Sequence, residues 1–163
     1  MADTITIRTA APHDLSAVDA LLARSYPRLL ARDYPPSAMV TAVPIIARAR
    51  PRLLASGTYY IAESETGAAL GAGGWTANRG RPGRADIRHL VTDPDHLRRG
   101  IGAAVMRTIL VEAGAAGIET FDCMATVTAV PFYRAMGFVT VAPATVTLAA
   151  GVEFAVVRMV GAL

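Results

Sequence analysis

Residues 85–104 read ADIRHLVTDPDHLRRGIGAA and contain a strand, a loop and the start of a helix. Residues 86–92 form the predicted strand, and residues 100–116 carry apolar side chains at the spacing of an amphipathic helix. The loop between them ends at a helix N-terminus, where backbone N–H groups lack helical partners and the helix dipole is positive. This arrangement predicts a binding site for phosphate.

The loop combines close backbone approach with positive charge. Gly100 and Gly102 carry no side chain that would keep the backbone away from a pyrophosphate, and Arg98 and Arg99 add two guanidinium groups. A plainer interpretation is a helix N-terminus that carries two solvated arginines. The short motif does not distinguish the two.

A dinucleotide-binding loop of the Rossmann type is a competing interpretation. Asp122 lies 20 residues beyond Gly102, where such a fold places an acid that binds ribose. However, Val105 occupies the place of the third glycine, and residues 93–99 separate the strand from the loop glycines. The Rossmann interpretation is therefore disfavoured.

Strands and helices alternate along the chain in the order βααβββαβαββ. A turn at residues 65–67 joins two strands, and a helical segment should be interrupted at Pro44 and stop before Pro51. The predicted strands cover residues 4–8, 58–63, 69–76, 86–92, 118–124, 138–147 and 152–159. The first predicted helix begins after a cap at Asp14, and the other predicted helices cover residues 36–50, 100–116 and 129–136.

Length and composition favour one domain, residues 1–163. The absence of a secretion pattern and the single cysteine favour the cytoplasm. The chain is 53% hydrophobic, but 32 of its residues are alanine, and its longest uncharged stretch, residues 135–152, reads as paired strands. No segment is expected to span a membrane. Residues 1–8 lack the pattern of a secretion signal, and the single cysteine, Cys123, cannot form an internal disulfide.

The charge balance excludes several functions. All 16 basic residues are arginine, so Walker-A phosphate binding, kinase catalysis and Schiff-base chemistry lack the lysine that they need. Against 13 acidic residues the net charge is +3, which favours a small anionic ligand. It is too weak to predict nucleic-acid binding.

Two ordered motifs resemble the GNAT superfamily of N-acetyltransferases. Residues 85–94 followed by residues 98–102 are similar to the family's motif A, and TAVPFYRAMGF, residues 128–138, is similar to its Asn-Ala-x-x-Phe-Tyr-x-x-x-Gly-Phe segment. The resemblance covers nearly the whole chain. It implies an α/β (α+β) domain whose mixed, mostly antiparallel sheet of about seven strands has helices on both faces and is splayed at strands 4 and 5.

The resemblance also implies an acetyl-CoA site. In such enzymes the pantetheine pairs with the fourth strand, and the pyrophosphate sits on the amides of the glycine loop. Two positions depart from the family pattern: Leu97 replaces a glutamine or arginine, and Thr128, which offers only a hydroxyl, replaces an asparagine. The residues implied to bind acetyl-CoA are Leu90, Val91, Thr92, Arg98, Arg99, Gly100, Ile101, Gly102, Ala103, Thr128 and, for the 3′-phosphate, Arg134.

The implied reaction is direct transfer, in which a neutral amine attacks the thioester and expels CoA thiolate. Because an alkyl amine with a pKa of about 10.4 is mostly protonated at neutral pH, a base must accept its proton. Asp86 falls where many family members place a catalytic glutamate, and His89 has the more suitable proton affinity. In an alternating strand these two side chains point to opposite faces, so only one should face the substrate unless a bulge intervenes. Tyr133 matches the family tyrosine that donates a proton to the thiolate.

The catalytic carboxylate and tyrosine each have a purely structural alternative. Asp86 could be a solvent-facing carboxylate paired with Arg84 or Arg88, and Tyr133 could be a ring packed beside Phe132.

Covalent and metal-dependent mechanisms have no support in the sequence. Cys123 has no identifiable base beside it and is expected to be a buried residue of strand five. The three histidines, His13, His89 and His96, show no ligand spacing, so no metal is expected.

The acceptor amine, on a small molecule or a peptide, is not identified by the sequence. Arginines around the β-hairpin loop could attract an acidic acceptor, although such a loop is usually a solvated surface. A catalytically inactive acyl-CoA sensor is the alternative function, and a nucleic-acid binder ranks last. A chain this apolar can also bury surface in a homodimer. The arginines in question are Arg79, Arg81, Arg84 and Arg88.

Overall fold

Residues 4–163 are described by a computed structural model, and seven strands among them form one sheet in the order β1-β2-β3-β4-β5-β7-β6. Residues 1–3, part of the segment expected to lack a secretion signal, lie outside the described residues. The strands are β1 (Thr6–Thr9), β2 (Tyr59–Glu63), β3 (Ala69–Ala77), β4 (Arg84–Thr92), β5 (Thr120–Ala125), β6 (Val139–Thr147) and β7 (Glu153–Ala162). The α-helices are α1 (Leu15–Leu30), α2 (Pro36–Thr41), α3 (Val43–Ile46), α4 (Pro51–Leu54), α5 (Ile101–Ala115) and α6 (Val130–Ala135).

The sheet splits between its two parallel neighbours, β4 and β5. These strands pair only from Arg84 to Asp86 on β4, opposite Thr120 to Asp122 on β5. Beyond Asp86, β4 continues beside β3 while β5 continues beside β7. The other strand pairs are antiparallel. The predicted mixed, mostly antiparallel sheet that is splayed at strands 4 and 5 is confirmed.

Helices cover both faces of the sheet, and each face has its own apolar core. Leu21 and Leu22 of α1 are fully buried in the first core, which also holds buried side chains of α3 and α4, and partly buried side chains of α2 pack against it. Val105 and Ile109 of α5 are fully buried in the second core. Because burying one such side chain contributes about 1.5–3 kcal/mol, apolar packing holds both helices on the sheet.

Two glycines of β3 allow α5 to lie directly on the sheet. A Cβ atom at Gly71 would come within 2.6 Å of Ile101 Cγ2, and one at Gly73 within 3.1 Å of Val105 Cγ1, both on α5, and within 2.5 Å of Leu90 Cδ1 on β4. No side chain larger than hydrogen fits at either position without movement of its neighbour. These contacts place the N-terminus of α5 beside the C-terminal end of β4.

The helical segment predicted for residues 36–50 is divided differently from the expectation. The break falls at Ala42, between α2 and α3, and Pro44 lies in the first turn of α3, where a missing N–H costs no helical hydrogen bond. Pro51 is the first residue of α4 for the same reason. None of the helices in the described part of the chain is long and apolar enough to cross a membrane.

Asp14 precedes α1 as predicted, but it does not cap that helix. Its carboxylate accepts hydrogen bonds from the Ala11 N–H at 2.8 Å and from the Arg8 guanidinium at 2.7 and 2.8 Å. The hydrogen bonds from Arg8 lower the pKa of Asp14 to about 2. This buried ion pair fastens β1 to the start of α1.

Candidate active site

A cavity of about 200 Å³ lies where β4 and β5 separate. Residues of both apolar cores line it, so the cavity connects the two faces of the sheet. Its polar and titratable lining residues are Tyr26, Asp86, Arg88, His89, Asp122, Cys123, Thr126 and Tyr133.

A β-bulge at His89 interrupts β4 beside this cavity. Arg88 lies opposite Gly74 and Val91 lies opposite Ala72, so β4 has one residue more than β3 between these pairs. His89 adopts a left-handed φ of +45°, and its carbonyl accepts a 3.0 Å hydrogen bond from the Tyr59 hydroxyl. An extra residue of this kind reverses the alternation of side chains along a strand.

The bulge changes which side chains share a face. Ile87 packs into the core on the α5 side, whereas Val91, which would share its face in a regular strand, packs into the core on the α1 side. Asp86 and His89 both line the cavity. The bulge is the exception that the sequence-based expectation allowed, so both side chains reach this cavity.

The His89 imidazole is neutral at physiological pH. Burial lowers its pKa to about 4, and the positive charges of Arg50 and Arg88 act in the same direction. The ring can accept a proton at neutral pH, but it holds that proton more weakly than an exposed histidine does.

The Asp86 carboxylate is about one-third exposed and lies near one arginine. Arg88 Nη2 is 3.6 Å from Asp86 Oδ2, while Arg88 Nε donates to the Thr76 hydroxyl at 2.9 Å. Arg84, the other partner suggested by the sequence, instead donates two hydrogen bonds to Asp122, at 2.6 and 2.9 Å, and thereby lowers the pKa of Asp122. The Arg84–Asp122 pair bridges β4 and β5 at the point where they separate.

Tyr133 is buried between two aromatic rings. Phe132 and Phe138 contact it edge-on, with ring centroids at 5.4 and 5.3 Å. Burial raises the pKa of its phenol well above 10, and its position beside Cys123 raises that pKa further. The hydroxyl therefore stays protonated at physiological pH and can donate a hydrogen bond at the cavity wall.

Cys123 lies in the cavity wall as a buried residue of β5, as the sequence indicated. Burial raises the pKa of its thiol to about 12, so it carries no thiolate that could attack a thioester. Within residues 4–163, no three histidine, cysteine or carboxylate side chains are grouped so that they could hold a metal ion.

The loop before α5 has the backbone conformation of an anion site. Arg98 and Gly100 adopt left-handed φ values of +63° and +78°, and Gly100 is the N-cap residue without a side-chain cap. The Ala104 N–H donates to the Gly100 carbonyl, so the N–H groups of Ile101, Gly102 and Ala103 precede the first helical hydrogen bond. Such N–H groups at the positive end of a helix bind phosphate oxygens.

Gly102 has a packing role in addition to its place in the loop. A Cβ atom there would lie 3.0 Å from the Phe132 ring and 3.2 Å from the Thr92 hydroxyl. The absence of a side chain therefore brings α5 against both the end of β4 and α6.

The three β4 residues expected to contact pantetheine occupy different surroundings. Leu90 lines the cavity, Val91 is buried in the core on the α1 side, and Thr92 lies beside Gly102. Among the described strands, none pairs with β4 on the β5 side beyond Asp86. This edge of β4 is open to an added extended chain.

Two other predicted cofactor residues already have protein partners. The Thr128 hydroxyl donates a 2.7 Å hydrogen bond to Asp33, and Arg134 donates to the Thr140 hydroxyl at 3.3 Å. Thr126, which the sequence analysis did not single out, caps the turn before α6 by accepting from the Ala129 N–H at 3.3 Å. Thr126 also lines the cavity. Its position directly after β5 was the feature of the sequence that could have identified it as a site residue.

A second cavity of about 830 Å³ adjoins the first. Arg88 and His89 line both cavities, so the bulge at His89 lies between the two cavities. Sequence patterns did not predict this cavity, although Arg48 and Arg50, between α3 and α4, and Arg52, in α4, occupy alternate positions along the chain. The lining residues of the second cavity are Ile45, Arg48, Ala49, Arg50, Pro51, Arg52, Leu53, Ser56, Thr76, Arg88 and His89.

Comparison with known proteins agrees with the geometry. The chain is similar to a GCN5-related N-acetyltransferase of Rhodopseudomonas palustris, with 26% identity, a TM-score of 0.81 and coverage of 100% of this chain and 98% of the other. It also resembles the PaiA N-acetyltransferase of Thermoplasma acidophilum in complex with coenzyme A, with 13% identity, a TM-score of 0.73 and coverage of 98% and 99%.

A third similar structure is the ribosomal-protein-S18-alanine N-acetyltransferase of Escherichia coli, with 18% identity, a TM-score of 0.66 and coverage of 98% of this chain and 94% of the other. None of the curated proteins compared by sequence is a significant match. The family model of the acetyltransferase (GNAT) domain matches residues 30–160, which is most of the chain. The protein therefore belongs to the GNAT acetyltransferase family.

Proposed function

We propose that this protein is an acetyl-CoA-dependent N-acetyltransferase that transfers the acetyl group directly to a primary amine of a small molecule or peptide. The observation that carries the proposal is the single cavity at the β4–β5 split that Asp86, His89 and Tyr133 line together. Family membership and the similarity to the R. palustris N-acetyltransferase support the same reaction.

The residues around the split fit acetyl-CoA. The N–H groups of Ile101, Gly102 and Ala103 are suited to the pyrophosphate, and the open edge of β4 beyond Asp86 is suited to the pantetheine. The thioester supplies an already activated acetyl group, so the protein needs no nucleophile of its own. The coenzyme A complex of the T. acidophilum protein, which shares the fold, supports this assignment.

The cavity favours the neutral form of an amine. An alkylammonium group with a pKa of about 10.4 must lose a proton before it can attack a carbonyl. The burial and the arginine charges that lower the pKa of His89 act in the same direction on an ammonium group bound beside it. Asp86 and the neutral His89 are the side chains in the cavity that we assign to accept the released proton, because the other carboxylate in the lining, Asp122, is held by two hydrogen bonds from Arg84.

Tyr133 acts at the opposite end of the transfer. Its raised pKa keeps the phenol protonated, so the hydroxyl can donate a hydrogen bond to the sulfur that becomes a thiolate. Complete proton transfer from the phenol to a thiolate would be uphill, so stabilisation by this hydrogen bond is its main contribution.

The proposal is tested by calorimetric titration of the protein with acetyl-CoA, repeated with Ala103→Glu and Ala103→Gln. Ala103 is the third residue of α5 and is partly exposed. A glutamate at this position is favourable for a helix N-terminus, so the fold should be retained while the carboxylate repels the pyrophosphate. The neutral glutamine has almost the same shape and serves as the matched control.

We expect Ala103→Glu to weaken acetyl-CoA binding by at least about tenfold, and Ala103→Gln to bind nearly as the wild type does. Acetylation of members of an amine library by the wild type would then complete the test. A folded wild-type protein that does not bind acetyl-CoA would overturn the proposal. Tight binding without transfer to any amine would instead support the inactive acyl-CoA sensor.

A further inference from the structure

The second cavity carries positive charge that no acid in its lining compensates. Four arginines, Arg48, Arg50, Arg52 and Arg88, line it, and the lining contains no aspartate or glutamate. The lining also contains apolar side chains, among them Ile45 and Leu53.

Three of these arginines also lack acidic partners elsewhere. Within residues 4–163, Arg48, Arg50 and Arg52 form no ion pair and donate no side-chain hydrogen bond. By contrast, Arg8, Arg24, Arg28 and Arg84 are each paired with a carboxylate at 2.9 Å or less. Arg48, Arg50 and Arg52 therefore differ from the arginines whose ion pairs stabilise the fold, because their guanidinium groups are not paired with a carboxylate in the described part of the chain.

The arginine cavity leads to the reacting groups. Arg88 and His89 line both cavities, and Tyr133 and Asp86 line the smaller one. The charge of Arg50 reaches His89, since it contributes to the lowered pKa of that residue. A molecule that places an amine beside Asp86 and His89 therefore extends naturally into a space of about 830 Å³ bordered by guanidinium groups.

We propose that the acceptor is a small amine that also carries an oxyanion, either a carboxylate or a phosphonate or phosphate group, which the arginine cavity binds. The inference deepens the proposed function and rests on it. Guanidinium groups recognise such oxyanions through two parallel hydrogen bonds, and the paired charges hold the amine end toward His89. An amine that lacks the anion would leave Arg48, Arg50 and Arg52 without an acidic partner among the described residues, whereas Arg88 Nη2 lies 3.6 Å from Asp86 Oδ2.

The test compares anionic amines with neutral amines that have the same carbon chain. Acceptor kinetics are measured for β-alanine, γ-aminobutyrate and aminoethylphosphonate against β-alaninamide, γ-aminobutyramide and ethanolamine. We expect the anionic member of at least one pair to have a kcat/KM at least about tenfold higher, as charge-assisted hydrogen bonds predict. The phosphonate pair and the carboxylate pairs distinguish the two kinds of oxyanion.

Two variants then locate the effect. Arg50→Gln should reduce the ratio of kcat/KM between the anionic and neutral members by about tenfold, because it removes one charge from the cavity. Arg79→Gln removes the same charge from the exposed turn between β3 and β4, outside both cavities, and should leave the ratio unchanged. Using the ratio removes any effect of Arg50 on His89 itself.

Calorimetric titration of the CoA-saturated protein with the same six compounds gives a readout that does not depend on turnover. The inference would be overturned if the neutral members bound as tightly as the anionic ones or more tightly. It would also be overturned if Arg50→Gln and Arg79→Gln reduced the ratio of kcat/KM between anionic and neutral members equally. Failure to bind acetyl-CoA would be a failure of the proposed function, whereas acetylation of neutral amines in preference to anionic ones would leave that function intact and refute only the anionic acceptor.

Discussion

Replacement of Tyr133 by phenylalanine isolates the chemistry of one hydroxyl group. The ring contacts with Phe132 and Phe138, at centroid distances of 5.4 and 5.3 Å, do not involve the oxygen, so the packing should survive. A hydrogen bond to an ionised group contributes about 1.5–3 kcal/mol. If the hydroxyl stabilises the leaving thiolate, its loss should lower kcat by about 10- to 150-fold, at about 1.4 kcal/mol for each factor of ten.

The assay is release of free CoA thiol at saturating acetyl-CoA, combined with calorimetric measurement of the acetyl-CoA Kd and with thermal unfolding. The Kd should change little, because an interaction made only in the transition state does not affect ground-state binding. The midpoint of unfolding should also change little, since the thiol of Cys123 beside the hydroxyl is a weak hydrogen-bond acceptor.

Tyr60→Phe is the matched control. Its hydroxyl accepts a 3.2 Å hydrogen bond from the Trp75 indole in the core and lies outside the cavity, so this variant should lose about 1 kcal/mol of stability with kcat unchanged. A kcat for Tyr133→Phe within about threefold of the wild type would refute the assigned role, because it corresponds to less than the weakest charged hydrogen bond.

Two further predictions concern pH. The C2 proton of His89 should titrate near pH 4 in NMR spectra, because burial and the charges of Arg50 and Arg88 disfavour the imidazolium; a midpoint near 6.5 would contradict the described surroundings. Asp14→Asn should lower the free energy of unfolding by about 2 kcal/mol at pH 7, since the folded-state pKa of Asp14 lies near 2 and its usual value near 3.8. Because that pKa is lowered, this stability is present above about pH 4 and is lost as the pH falls toward 2, so denaturant unfolding curves of the two proteins should converge in acid.

The segments that sequence patterns predicted well are those governed by neighbouring residues. The loop before α5 has a left-handed Gly100, and α6 ends before Gly137 at a φ of +93°, because such positions favour a residue without a side chain. Sequence patterns predicted the break in the second helical segment at Pro44, but Pro44 lies in the first turn of α3, where a backbone N–H has no helical partner and proline is therefore tolerated.

Which residues of β4 face the cavity could be predicted only with knowledge of the sheet. Alternation along residues 86–92 separates Asp86 from His89, and only the register against β3 shows the extra residue that brings both to one cavity. The family motif likewise suggested Thr128 as a cofactor residue, but its hydroxyl bonds to Asp33, which is distant in sequence.

Residue types and their spacing along the chain were enough to predict the order of the seven strands and the helix that follows the glycine loop, since these depend on interactions within a few residues. The phosphate-binding role of that loop and the role of Tyr133, which follows from the family resemblance, stay predictions. The position of the bulge depends on the register of β4 against β3. The second cavity, which brings Arg50 near Arg88 and His89, depends on how the segment around α3 and α4 packs beside β4. Such contacts join segments far apart in sequence, so no local pattern encodes them, and they determine which groups line the cavities beside β4.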